Sequence, residues 1–162
     1  NQDELLLADI MAGPMPPMPA DIGLGGPAKA TPKVEIHWDN VVPAEVFVEK
    51  TWSLSEAENN RYCAEISDHD PVYDEHIHPH YLLSLANYCL MEEYQMPAWI
   101  HASSITNHRA ALKVGDVITS KTVVKEKFER KGHQFITLHI TYWRGEALTT
   151  DILHTAIFRI AE

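Results

Sequence analysis

Over 134–144 the apolar residues fall on every second position: Ile136, Leu138, Ile140 and Tyr142 alternate with Thr137, His139 and Thr141. A period of two sends neighbouring side chains to opposite faces, so the segment predicts a half-buried strand. Strand-favouring stretches also cover 98–107, 116–129 and 147–160. Turn signals mark their ends at Val114-Gly115-Asp116, Lys131-Gly132-His133 and Arg144-Gly145-Glu146. A further strand is expected over 46–54.

Two segments break this alternation. Ser55 followed three residues later by Glu58 has the spacing of a capping box and predicts a helix over 56–66. Pro79 suits a first helical turn, and the run after it, Tyr81-Leu82-Leu83-Ser84-Leu85-Ala86-Asn87-Tyr88-Cys89-Leu90-Met91, is apolar almost all round. A helix over 79–91 with so little polar surface has to be covered on most sides. Between the two helices, 67–75 is polar and interrupted by Pro71, which predicts an irregular loop, the kind of segment that often carries chemistry.

Prolines and glycines crowd 11–32, where neither a helix nor a central strand can be sustained. Residues 1–44 therefore read as an N-terminal arm, with room for a short helix over 3–11, and 45–162 as one domain. Long antiparallel strands curling around a buried helix give an α+β domain of the hot-dog type.

A length of 162 residues fits one core and is short for two. The formal charge of −10 argues against nucleic-acid binding, since phosphates require an electropositive face. No apolar run approaches the roughly 18 residues of a bilayer span, so no membrane partner is expected. Two cysteines, Cys63 and Cys89, are too few for a disulfide scaffold and have no metal-type spacing, which points to a reducing cytoplasm.

In order and spacing, three pieces resemble the MaoC-like family. They are Ser67-Asp68-His69-Asp70-Pro71-Val72-Tyr73, then Ile77-His78-Pro79-His80-Tyr81-Leu82-Leu83-Ser84-Leu85, then Leu112-Lys113-Val114-Gly115-Asp116. The resemblance covers about 45–160. It implies hydration or dehydration of an acyl chain held as a coenzyme A or carrier-protein thioester, with the thioester as substrate and no further cofactor. It also implies a homodimer whose sheets join edge to edge. In the family a loop Asp and His hold the water and move its protons, while backbone N–H groups at the start of the buried helix bind the thioester oxygen.

On this pattern Asp68 keeps the aspartate position and Tyr73 stands at the histidine position. A phenol with an ordinary pKa near 10 is a poor base at neutral pH. Pro79 stands where a glycine usually offers its N–H, and Asn87 falls near a helical polar position that faces the site. The candidate catalytic residues are Asp68, Tyr73 and His78, the last as a substitute imidazole; Asp70, Pro79, His80 and Asn87 are candidate substrate-binding residues.

Three activities follow as alternatives: a hydratase or dehydratase, an acyl-binding domain without turnover, and a thioesterase in which Asp68 or Asp70 activates water. Alternation of His76, His78 and His80 in an extended segment could also hold a metal ion, although His80 is expected inside the helix and hydrogen-bonding or capping roles are the commoner ones. Lys121, Lys125, Lys127, Arg130 and Lys131, with Arg109, could meet coenzyme A phosphates or serve as a solvated strand edge. His101, Ser103 and Ser104 receive no role. Neither a Gly-x-Ser-x-Gly elbow nor a phosphate-binding glycine loop is present.

Overall fold

The computed structural model describes residues 33–91 and 93–161; the expected arm over 11–32 and the helix over 3–11 lie outside the described residues. The elements run β1 (Val34–Glu35), β2 (Phe47–Ser53), α1 (Glu56–Glu65), α2 (Pro79–Ala86), β3 (Tyr94–Gln95), β4 (Ile100–His108), β5 (Val117–Arg130), β6 (His133–Arg144) and β7 (Ala147–Arg159). Short 3-10 turns lie at Trp38–Asn40 and Pro71–Asp74. All strand pairs in the five-stranded sheet are antiparallel, in the order β2-β5-β6-β7-β4, while β1 and β3 form a separate parallel pair. This is the hot-dog arrangement in the α+β class.

The alternation in β6 works as the period requires. Ile136, Leu138, Ile140 and Tyr142 are fully buried, and the Tyr142 hydroxyl donates to the Leu82 carbonyl of α2 at 3.0 Å, which identifies this face as the one turned to the helix. Cross-strand partners share a face. Val48 and Trp52, then Ile118 and Val124, then Ile152 and Ala156 therefore lie on the same side, and all are buried. Ile36 and Val41 join this core from ahead of residue 45.

Two tight turns set the register of the long hairpins. Lys131 (φ 52°) and Gly132 (φ 78°) close β5 to β6, and Gly145 (φ 59°) opens the turn into β7. In the first of them, positive φ at both central positions is the type I′ requirement, whose twist matches that of the strands.

Helix α2 is shorter than the apolar run predicts. It ends at Ala86, and the chain continues to Met91 in tighter turns, with Tyr88 N–H on Leu85 O, Cys89 N–H on Ala86 O and Met91 N–H on Tyr88 O. The Ser84 hydroxyl and the Asn87 amide bond backbone carbonyls in this stretch, Ser84 to Tyr81 O and Asn87 to Ser84 O, and such side chains compete with the helical ladder. Tyr88, Cys89 and Leu90 stay buried, so burial continues where helical geometry stops. Among the described residues no helix is long and apolar enough to cross a membrane.

Candidate active site

Helix α1 begins as its cap spacing predicts. The Ser55 hydroxyl oxygen accepts the Glu58 N–H, and the hydroxyl donates to Glu58 Oε2 at 2.8 Å. The helix then stops at the left-handed Ser67 (φ 59°), and the Asp68 N–H turns back onto the Cys63 carbonyl. Asp68 is thereby aimed at the start of α2.

The Asp68 carboxylate has two distinct tasks. Its Oδ1 accepts the Asp70 N–H at 3.1 Å and holds the turn, while Oδ2 lies 3.3 Å from Nε2 of His78. Asp70 in turn caps the 3-10 turn by accepting the Val72 N–H at 2.9 Å. His78 is the N-cap of α2, and its Nδ1 accepts the His80 N–H at 3.1 Å. A ring nitrogen that accepts carries no proton, so the neutral imidazole holds its proton on Nε2, directed at Asp68.

Around this pair stand Tyr73, whose ring centre is 4.5 Å from that of His78, and Tyr62 at 5.3 Å. Burial and then the charges of Asp68 and Asp70 push the Tyr73 phenol up, so it remains protonated and keeps an O–H to donate. Burial and the nearby Cys63 and Glu65 raise Tyr62 to about 12. Asn59, fully buried in α1, donates to the Tyr73 and His76 carbonyls at 2.8 and 3.0 Å and accepts the His78 N–H at 2.9 Å.

The structure therefore brings together Asp68, His78, Tyr73 and, by its backbone, His80. Asn87 stands at the far end of α2, about 12 Å along the axis at 1.5 Å per residue, where it accepts from Trp99 Nε1 at 3.2 Å.

The start of α2 differs from what the resemblance implies. Pro79 has no N–H, the His80 N–H is taken by His78 Nδ1, and the Tyr81 N–H bonds the His78 carbonyl at 2.9 Å. The first three helical positions thus offer no free N–H to a thioester oxygen.

The three alternating histidines do not converge. His76 Nδ1 is 3.3 Å from the Val72 carbonyl, His78 faces Asp68, and His80 Nδ1 meets the Tyr62 hydroxyl at 3.1 Å. Among the described residues no group of three ligands is placed to hold a metal ion. In the basic set, Arg109 pairs with Asp151 at 2.6 Å, Lys121 lies 4.0 Å from Glu49, and Lys127 bonds the Trp38 carbonyl.

A second polar group, to which the sequence assigns no role, lies on the helix side of β4 and β7. The Ser104 hydroxyl sits 2.9 Å from His101 Nε2 and 3.0 Å from His154 Nδ1, and the two imidazoles stack with centres 4.7 Å apart. Burial, aided by His101, pushes fully buried His154 down to about 3, so it is neutral at physiological pH. His154 is one helix-side position along a strand whose neighbouring such positions, Ile152 and Ala156, are apolar, a pattern that gives no hint of its partners on β4. Asn59 is equally silent in the sequence, because an Asn in a polar helix usually faces water. An open groove of about 430 Å³ lined by Val34, Asn40, Val46, Phe47 and Tyr94 contains none of these residues.

No protein-family model matches the sequence, and no curated protein does. Solved structures do. An (R)-hydratase from A. caviae involved in PHA biosynthesis superposes with a TM-score of 0.60 at 18% identity, covering 74% of this chain and 98% of that one. The C-terminally truncated HadBC (3R-hydroxyacyl-ACP dehydratase) complex of Mycobacterium tuberculosis gives 0.60 at 9% identity, covering 69% and 94%. A monoamine oxidase regulatory protein from Archaeoglobus gives 0.63 at 14% identity, covering 80% and 98%. At these identities the likeness establishes the hot-dog fold, one that hydratases and dehydratases share.

Proposed function

We propose that this protein adds water to, or removes it from, an α,β-unsaturated acyl thioester, with Asp68 and His78 as the working pair. The observation that carries this reading is the contact between Asp68 Oδ2 and His78 Nε2 at 3.3 Å, with the imidazole tautomer fixed from the other side by the His80 N–H. Hydratases and dehydratases among the structures of the same fold support it.

The tautomer determines the division of labour. With Nδ1 engaged as an acceptor and Nε2 protonated, His78 has no free lone pair for a water proton, so Asp68 is the base. In hydration, Asp68 takes a proton from water as the oxygen bonds to the β-carbon. The electron pair of the double bond moves to the thioester as an enolate, and the same carboxyl group returns the proton to the α-carbon. His78 Nε2–H orients the carboxylate and the water. Tyr73, as a phenol that stays protonated, lends a hydrogen bond and packs against the imidazole.

The substrate is read as a coenzyme A or carrier-protein thioester, and the working form as a homodimer. A second reading, an acyl-binding domain without turnover, is favoured by the helix start, where no N–H remains for the thioester oxygen. Crotonyl-CoA separates the two readings. Hydration by wild type and its loss in Asp68→Asn support the enzyme; tight binding with no turnover supports the binder; equal rates in both proteins remove Asp68 from the chemistry.

A further inference from the structure

If the site handles a thioester, something must stabilise negative charge on its carbonyl oxygen as the enolate forms, and preorganised donors are usually the largest contribution. The backbone at the start of α2 does not supply this, because Pro79 lacks an N–H and those of His80 and Tyr81 are already bonded. The donor has to be a side chain.

We propose that the imidazole of His80 is that donor, with its Nε2–H hydrogen-bonded to the thioester carbonyl; this rests on the thioester reading of the site. Three observations lead to His80. Its position is right: it lies two residues beyond His78 on the first turn of α2, exposed to an incoming ligand. Besides burial, His78 lowers the pKa of His80, and His80 in turn lowers those of His101 and His108 on β4, so these imidazoles lie within electrostatic reach of one another.

Its ring also has a partner on one nitrogen. Nδ1 lies 3.1 Å from the Tyr62 hydroxyl. Burial keeps the Tyr62 phenol protonated, so it has a proton to donate to Nδ1, and in that arrangement the proton of the neutral ring is on Nε2. Among the described residues, Nε2 has no partner.

Its charge state suits the task. Burial and then His78 lower the pKa of His80, so the ring is neutral at pH 7. A neutral imidazole N–H is a competent electrophile toward a carbonyl, the role a neutral histidine fills in triosephosphate isomerase. It donates a hydrogen bond without transferring its proton, and Asp68 remains the single proton carrier.

Infrared difference spectroscopy of bound crotonyl-CoA carrying carbon-13 at the thioester carbonyl reads this bond directly, whether or not turnover occurs. Dienoyl-CoA serves where hydration is too fast. In wild type the carbonyl band shifts to lower wavenumber on binding. His80→Gln, which keeps an N–H at similar reach, retains part of the shift. His80→Phe loses it and lowers kcat for hydration by about 100-fold, the effect of removing one such donor. Tyr62→Phe, which releases the tautomer, weakens the shift.

No shift in the wild-type complex, an equal shift in His80→Phe, or no thioester binding at all overturns the assignment. Hydration without a carbonyl shift removes His80 and leaves the hydratase reading intact. A shift without hydration does the reverse. Since the wild-type spectrum alone can refute the bond, the test does not depend on every variant folding.

Discussion

The side-chain oxygen of Asn59 accepts the backbone N–H of His78 at 2.9 Å, so a fully buried amide in α1 fixes the point from which the imidazole projects. The same side chain donates to Tyr73 and His76, tying the loop between the helices to a single anchor. The position of His78 relative to Asp68 thus depends on a residue that bonds the His78 backbone rather than its imidazole.

Replacing Asn59 with leucine leaves two carbonyls and one N–H without this partner in a buried setting. A loss of roughly 2–4 kcal/mol is expected, from the cost of unsatisfied buried polar groups. Urea denaturation measures it, and a change under about 0.5 kcal/mol, the level of an ordinary surface substitution, would show that water or rearrangement replaces the amide.

Asp68→Asn removes the proposed proton carrier while keeping shape. Crotonyl-CoA hydration should fall about 10²–10⁴-fold, the usual range for one acid–base group. The unfolding midpoint should hardly move, because the Asp68 side chain is 36% exposed and such pairs contribute little. Tyr73→Phe keeps the ring against His78 and should change the rate only a few-fold. A loss equal to that of Asp68→Asn would make Tyr73 the proton carrier instead.

His154 makes stability depend on acid. In the folded chain burial holds its pKa near 3, against 6.5 when unfolded. Above pH 6.5 neither state carries the proton and the residue contributes no slope. Below it the unfolded chain binds a proton that the native chain refuses until about pH 3, so stability falls as pH drops through that window. One such group gives about 1.4 kcal/mol per pH unit. Denaturant midpoints of His154→Phe between pH 6.5 and roughly 4.5 should show a shallower decline than wild type, by about one proton. Parallel declines would mean that His154 is protonated in the native state.

The β5–β6 turn tests register control. Gly132 has φ 78°, and an added Cβ would lie 3.0 Å from the Ala161 Cβ, so Gly132→Ala should cost about 1–2 kcal/mol. Lys131, at φ 52°, is a residue type that adopts this region reluctantly, and Lys131→Asn should gain a few tenths of a kcal/mol. Thermal melts measure both; a stabilised Gly132→Ala would contradict a type I′ turn.

Periodicity in the chain was enough for the strands of the sheet. The segments expected over 116–129, 134–144 and 147–160 appear as Val117–Arg130, His133–Arg144 and Ala147–Arg159, because alternation, glycine turns and capping are local properties written in consecutive residues. The same holds for α1 and its Ser55 cap. Asp68 and His78 were also visible as candidates, since the loop composition and the helix start mark them.

Chain folding alone settled what links distant positions. The placement of β4 beside β7 at the sheet edge, rather than beside β5, is a long-range pairing with no local signal. Helix α2 ends at Ala86 because Ser84 and Asn87 turn to backbone carbonyls, whereas an apolar run reports burial and not helical geometry. The choice of His78 over Tyr73 as the partner of Asp68 depended on Asn59, which anchors the His78 backbone N–H, and on the His80 N–H, which occupies Nδ1 and leaves Nε2 to face Asp68. Sequence spacing gives the order of donors and acceptors along a chain; which of them are already occupied is decided only when the chain closes on itself.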